Sequence, residues 1–325
     1  FSFFMFSLTG IYAQLSGNYT IDSNQVTSGR NFQSFKDLTD TLEAAGLSGA
    51  VTVRVAQGSG PYNDPVHFKK YAGASSSNQL IIKGNLETIN YRFPTSFRDN
   101  AVILFDSAKH ITLDSLNIET SFARWKVLRF INDSDSNKVI NSTIRVSYGS
   151  GAQAIFVEES DHLLIDNNQF YFSGDDAIYI QGTNNSTISN NFITNDSTGT
   201  FSKGIELRSH TTLFNSGNRI EYNVIENFYF WCLFLTSQHD FRVIGNDLSS
   251  PTGGYGSGKV GIFLTGSCVN TYIDRNYIHD IRPIASSATA VGIRIQTRTD
   301  SAHQENFVVN NVVSAIQSLA GQVSG

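Results

Sequence analysis

The sequence predicts an all-β chain wound as a right-handed parallel β-helix, a solenoid with an amphipathic helix capping its N-terminal end. Two observations carry this expectation. The first is a short frame, apolar-x-x-Asn-x-apolar, that recurs through most of the chain: Ile165–Asn168–Phe170, Ile188–Asn191–Ile193, Ile220–Asn223–Ile225, Val243–Asn246–Leu248, Ile273–Asn276–Ile278 and Val308–Asn311–Val313. Two earlier copies hold Leu116 and Ser142 at the central place, and the intervals between centres are 26, 26, 23, 32, 23, 30 and 35 residues. A period in that range marks stacked repeats with variable insertions. The second is an apolar pair ten to fifteen residues upstream of each frame, from Ile103/Phe105 and Leu128/Phe130 to Ile262/Leu264 and Ile293/Ile295. Spacing of two within each pair is the strand period, and no stretch in these repeats sustains a period of 3.6.

Short strands joined by Ser, Asn, Asp and Gly turns, about one coil per repeat, stack roughly 4.8 Å apart, so equivalent residues form ladders along the axis. The recurrent Asn suits such a ladder, since its amide can donate to one neighbour and accept from the other. Right-handedness follows the rule for parallel crossovers.

Taken from the N-terminus, residues 1–13 read as the remnant of a secretory signal peptide. Phe1 to Tyr12 is apolar, Ala13 is small and Gln14 opens a polar segment, too short a run to span a bilayer. Residues 14–99 read as a cap and first irregular coils. Phe32, Phe35, Leu38, Leu42 and Ala45 are spaced for one helical face with Gly46 as its stop, and Val51, Val53 and Val55 alternate as a strand. Residues 100–325 are the regular coils, and a C-terminus without a cap is expected to continue into something longer.

Composition narrows the function. With 325 residues, 16% charged and a formal net charge of −5, the chain offers no basic face for nucleic acid. Cys232 and Cys268, the only cysteines, fall apart in the frame and read as unpaired. His110, His162 and His239 share a turn position, which the repeat explains without catalysis.

The segments "AQLSGNYTID" and "NFQSFKDLTDTLEAAGLSGAVTVRVAQGSGPYND", followed by the Asn-bearing coils, resemble secreted surface proteins of the Bacteroidota built on a pectate-lyase-like β-helix. The resemblance implies the fold and export. It does not imply one activity, because that fold carries lyases, hydrolases and non-catalytic adhesins.

With the apolar pairs pointing inward, strand parity turns the alternate residues outward. One outward column reads Leu104, Arg129, Phe156, Tyr179, Glu206, Phe234, Phe263, Arg294; the next reads Asp106, Ile131, Glu158, Gln181, Arg208, Thr236, Thr265, Gln296. Aromatics interleaved with carboxylates and guanidinium groups are the materials of a carbohydrate groove, with rings against sugar faces and polar groups taking hydroxyls.

Gly174–Asp175–Asp176 is similar to the Gly-Asp-Asp motif of the polygalacturonase family, whose paired aspartates act as acid and base. The family's third aspartate would fall at Gln153 and its histidine at Lys203, so that activity does not carry over. The alignment instead sets Asp176 beside Lys203. A β-elimination lyase could use such a cation as base, with Ca²⁺ held by Asp175, Asp176 and Glu158; an ordinary ion pair is the plainer alternative. Gly253–Lys259 has phosphate-loop spacing, but Val260 stands where Ser or Thr is required and a strand follows.

The expectation is therefore a secreted or cell-surface protein that engages polysaccharide without catalysis, with a lyase or hydrolase of acidic glycans as the alternative. The candidate catalytic residues are Asp175, Asp176, Lys203, Glu206 and Arg208. The binding residues would be Phe156, Glu158, Tyr179, Gln181, Phe234, Phe263 and Arg294.

Overall fold

The computed structural model describes residues 13–90, 101–120, 126–147, 151–195, 201–210, 214–251, 258–283, 288–297, 305–317 and 323–324. All but the last residue of the expected signal-peptide remnant (1–13) and most of the Gly-rich loop, at 253–257, lie outside these. Among the described residues no helix is long and apolar enough to cross a membrane.

The N-terminal end is closed as the spacing predicts, with one change. The helix runs Phe35–Ala45 and buries Phe35, Leu38, Thr39 and Leu42. Ser34 caps it by accepting a hydrogen bond from the Asp37 N–H at 3.1 Å, which satisfies one of the orphan donors of the first turn. Phe32 is not on this helix. The cap at Ser34 cuts it off, and it sits in the short strand Asn31–Phe32 with its ring stacked on Tyr19 at 5.5 Å. Gly46 ends the helix at φ 71°, donating its N–H to Leu42 O, and a Cβ there would meet Ala72 O at 2.5 Å.

The chain then winds through three parallel sheets of twelve, ten and nine strands. Every pairing predicted from the apolar pairs is present: Ile103, Leu128, Ile155, Ile178, Ile205, Leu233, Ile262 and Ile293 are successive partners in the ten-stranded sheet. The stacking also extends upstream, since Leu80–Lys83 pairs with both Leu47–Val55 and Ile111–Asp114. Inside, like residues stack on like: Phe68, Phe105 and Phe130 follow one another at 5.2 and 4.3 Å between ring centroids. This dry interior supplies the stability, at about 25 cal/mol per Å² of apolar surface removed from water.

The asparagine ladder forms without a break from Asn168 to Asn311. The Asn168 backbone N–H and Nδ2 both donate to Asn191 Oδ1 at 3.0 Å, and Asn191 repeats this on Asn223. Asn223, Asn246 and Asn276 continue it to Asn311. The second amide hydrogen of each goes to a main-chain carbonyl of the preceding coil, as from Asn191 to Ile165 O at 2.9 Å.

Two further devices escaped the sequence reading. The residue just before each ladder position is left-handed: Ser115, Asn141, Asn167, Asn190, Tyr222, Gly245, Arg275 and Asn310 all have φ between 53° and 64°. This is the conformation that turns the chain from one sheet into the next, and Asn and Gly tolerate it best. A second, broken polar ladder runs along another corner, where Asn137, Ser186, Asn218 and Asn306 accept from main-chain N–H groups one coil away. Cys232 and Cys268 are free and buried, and burial pushes both thiols up.

Candidate functional site

The outward columns lie in the order that parity predicts. Arg129, Phe156, Tyr179, Glu206, Phe234, Phe263 and Arg294 are successive partners on the outer side of the ten-stranded sheet, with Glu158, Gln181, Arg208, Thr236 and Thr265 beside them. Gln153, Asp176 and Lys203 form a third column, also in the expected register.

At the centre is a charged cluster. Lys203 Nζ bonds Asp176 Oδ1 at 2.8 Å and also reaches Glu206, whose other oxygen receives Arg208 Nε. Gln153 Nε2 adds a hydrogen bond to Asp176 Oδ2 at 3.2 Å. Two carboxylates and two cations balance, which is what burial of such a group requires. Burial pushes the Asp176 carboxyl up, against the pull of Lys203. For Lys203, burial alone would lower the pKa, but the Asp176 and Glu206 carboxylates outweigh it and hold the ammonium above the usual lysine value. An amine held so firmly protonated is a poor general base near neutrality.

Three expectations need correction. Glu206 faces outward by parity but is fully buried at 0% exposure, because the arms of Lys203 and Arg208 fold over it. Phe234 and Phe263 keep only 9% and 8% of their surface. They form a cluster of their own with Trp231, which stacks on Phe234 at 4.5 Å and meets Phe263 edge-on at 5.8 Å. Cations close over this cluster, Arg208 above Phe234 at 5.6 Å and Arg294 above Phe263 at 5.0 Å. Trp231 went unnoticed in the sequence, although counting back two from Leu233, as from Ile205 to Lys203, finds it in the column of Lys203.

The third correction concerns Ca²⁺. Glu158 pairs with Gln181, five residues along the strand from the Gln153–Asp176 pair, or about 16 Å at the strand rise. Asp175 is exposed and accepts from the Gly151 N–H at 3.2 Å, while Asp176 is buried. The three carboxylates do not converge, and no His, Cys, Asp and Glu group among the described residues has metal-site geometry.

What stays partly open is the other aromatic pair. Phe156 and Tyr179 are half-buried and stacked, 5.2 Å between centroids and 5° between planes. Arg129 and Lys126 stand over the Phe156 ring at 5.5 and 5.3 Å. The Tyr179 hydroxyl donates to Gln181 Oε1 at 3.0 Å, and Arg208 beside it is exposed.

No curated protein matches this chain in sequence. Among solved structures it is similar to the Streptococcus pneumoniae surface protein and adhesin PfbA, at 14% identity and a TM-score of 0.49, covering 89% of this chain and 84% of that one. It is similar to the Dettilon tailspike protein, at 14% identity, a TM-score of 0.47 and coverage of 90% and 72%. A third likeness is to DFA-IIIase from Arthrobacter chlorophenolicus A6, at 13% identity, a TM-score of 0.44 and coverage of 87% and 74%. Likeness this distant says nothing of activity. The model of the right-handed β-helix region matches residues 128–317, which is more than half of the chain. The unbroken Asn ladder, the three parallel sheets and this match together make the chain a member of the right-handed β-helix family.

Proposed function

We propose that this protein is an exported glycan-binding protein that uses the outer face of its ten-stranded sheet without catalysis. The observation that carries the reading is the half-exposed Phe156–Tyr179 pair beside the polar groups of Gln181, Glu158 and Arg208. Ring edges and a tyrosine hydroxyl next to amide and guanidinium donors fit a sugar's mixed apolar and hydroxyl surface. The binding centre is displaced from the charged cluster toward the N-terminal coils, because Glu206, Phe234 and Phe263 are covered. Asp176, Lys203 and Glu206 hold neighbouring coils together by mutual neutralisation, and a protonated Lys203 argues against the lyase alternative.

The test is an array of neutral and acidic oligosaccharides probed with the protein and its Tyr179→Ala variant. A ligand that binds should lose about tenfold in affinity on this change, the order expected of one lost aromatic contact in a shallow site. Unchanged affinity for every ligand would remove this face from consideration. Incubation with pectin, alginate and chondroitin, with and without Ca²⁺, should produce no rise in low-ultraviolet absorbance from unsaturated product; a rise would establish a lyase.

A further inference from the structure

The twelve-stranded sheet carries a different arrangement on its outer side. Its strands bring Arg219, Arg242, Tyr272 and Phe307 into one column on four consecutive coils. Arg219 and Arg242 are direct lateral partners, a like-charge placement that is unfavourable unless an anion shares it. Arg219 is engaged by Glu221 at 3.2 Å. The Arg242 side chain is exposed and makes no hydrogen bond or ion pair among the described residues.

Next to it stands Tyr272, 43% exposed. Phe307 stacks on one side of its ring at 4.6 Å, and no cation lies over the ring among the described residues. In the ten-stranded sheet Phe156, Phe234 and Phe263 each have a cation over the ring, whereas the ring side of Tyr272 that faces Arg242 carries none. Between them is a groove of about 330 Å³ lined by Arg242, Ile244, Tyr272, Asp274, Arg275 and Val309. Asp274 puts a carboxylate in it, but Arg275 Nε at 2.9 Å and Asn310 Nδ2 at 3.1 Å offset that charge.

The backbone adds an independent sign. At the corner beside this groove the left-handed positions are taken by Tyr222 at φ 57° and Arg275 at φ 54°, where most other coils use Asn, Ser or Gly. A bulky residue in that conformation carries a conformational cost, and strain of this kind is often kept for function. Tyr222 is 51% exposed, and its ring covers Gly245 so closely that a Cβ there would lie 2.6 Å from it.

We propose that this groove is a second binding site, for a sugar ring that carries an oxyanion. The ring lies against the open face of Tyr272, and Arg242 takes the anion through its two-pronged guanidinium, relieving its repulsion with Arg219. The site is separate from the face of the ten-stranded sheet and does not depend on it.

The experiment is calorimetric titration at low ionic strength with trigalacturonic acid, a sulfated carrageenan trisaccharide and maltotriose. At least one of the two anionic sugars should bind and maltotriose should not, and which of them binds assigns the anion as carboxylate or sulfate ester. Arg242→Ala and Tyr272→Ala should each weaken that binding roughly ten- to hundredfold, as for loss of a charge-assisted hydrogen bond or a stacking surface. Both residues are exposed, so the variants should melt with the parent protein. Tyr179→Ala should leave the titration unchanged. The proposal fails if neither anionic sugar binds, if maltotriose binds as well as they do, or if binding survives Arg242→Ala and falls with Tyr179→Ala.

Discussion

Replacing Asn223 by alanine tests the ladder at its most enclosed rung. Asn223 is fully buried, and its amide makes four ladder contacts. Oδ1 accepts from the Asn191 N–H at 3.0 Å and from Asn191 Nδ2 at 2.9 Å, while Nδ2 donates to Ile188 O at 2.9 Å and Asn246 Oδ1 at 3.0 Å. Not all of these partners become orphans on truncation. Asn191 Nδ2 keeps Ile165 O, and Asn246 Oδ1 keeps the backbone N–H of residue 223. The Asn191 N–H and the Ile188 carbonyl are left in a dry interior, at about 1–3 kcal/mol each. With the small cavity added, the expected loss is about 3–5 kcal/mol. Serine should lose less, because Ser142 already shows a hydroxyl serving as a rung, accepting the Leu116 N–H at 3.1 Å. Alanine at Asn311 should lose about 1 kcal/mol or less, since that rung is half-exposed and water can replace the amide. The assay is urea unfolding followed by circular dichroism, with the slope checked for constancy because repeat proteins can unfold in parts. The reasoning fails if Asn223→Ala costs no more than Asn311→Ala, or if serine is no better than alanine.

Other outcomes follow from the buried charges. Glu206→Gln should destabilise by roughly 2 kcal/mol in the same assay, less than a fully buried broken pair because Arg208 can turn to water; a variant as stable as the parent would contradict a structural role for Glu206. Lys259 is 1% exposed, its ammonium against Ser250 Oγ at 2.5 Å, and burial lowers its pKa to about 8. Between pH 8 and the unfolded value near 10.5 the unfolded chain holds the proton and the native chain does not, so stability should rise with pH across that window and the gain should be lost as pH falls through 8. Lys259→Met should abolish this rise, and a parent protein whose midpoint is flat from pH 8 to 10 would contradict it.

Much of the fold was written in the spacing because a solenoid makes register a local property. Once the Ile155, Ile178 and Ile205 pairs are aligned, each neighbour along the strand is placed, which is why Gln153, Asp176 and Lys203 fall where counting puts them. The left-handed corner was less visible, since Tyr222 and Arg275 do not look like turn residues. Phe32 was misplaced for a simpler reason: its spacing fits the helix, but Ser34 starts the helix after it.

Exposure was a different matter, and the reason is general to stacked coils. Parity says on which side of a sheet a side chain lies, but not what lies on top of it. At a ladder spacing of about 4.8 Å each outward residue has close neighbours on both sides, so a long cation beside a short carboxylate covers it, as Lys203 and Arg208 cover Glu206. The same holds for rings: the column that runs from Phe234 through Phe263 to Arg294, with Trp231 of the neighbouring column packed against it, closes on itself. A column of suitable residues is therefore weak evidence for a binding face when its members satisfy one another. Open surface arises where the ladder is mismatched, as where Arg242, without a counter-charge, meets the bare side of Tyr272. In a solenoid of this kind a ligand is to be sought at the rungs whose neighbours leave them incomplete.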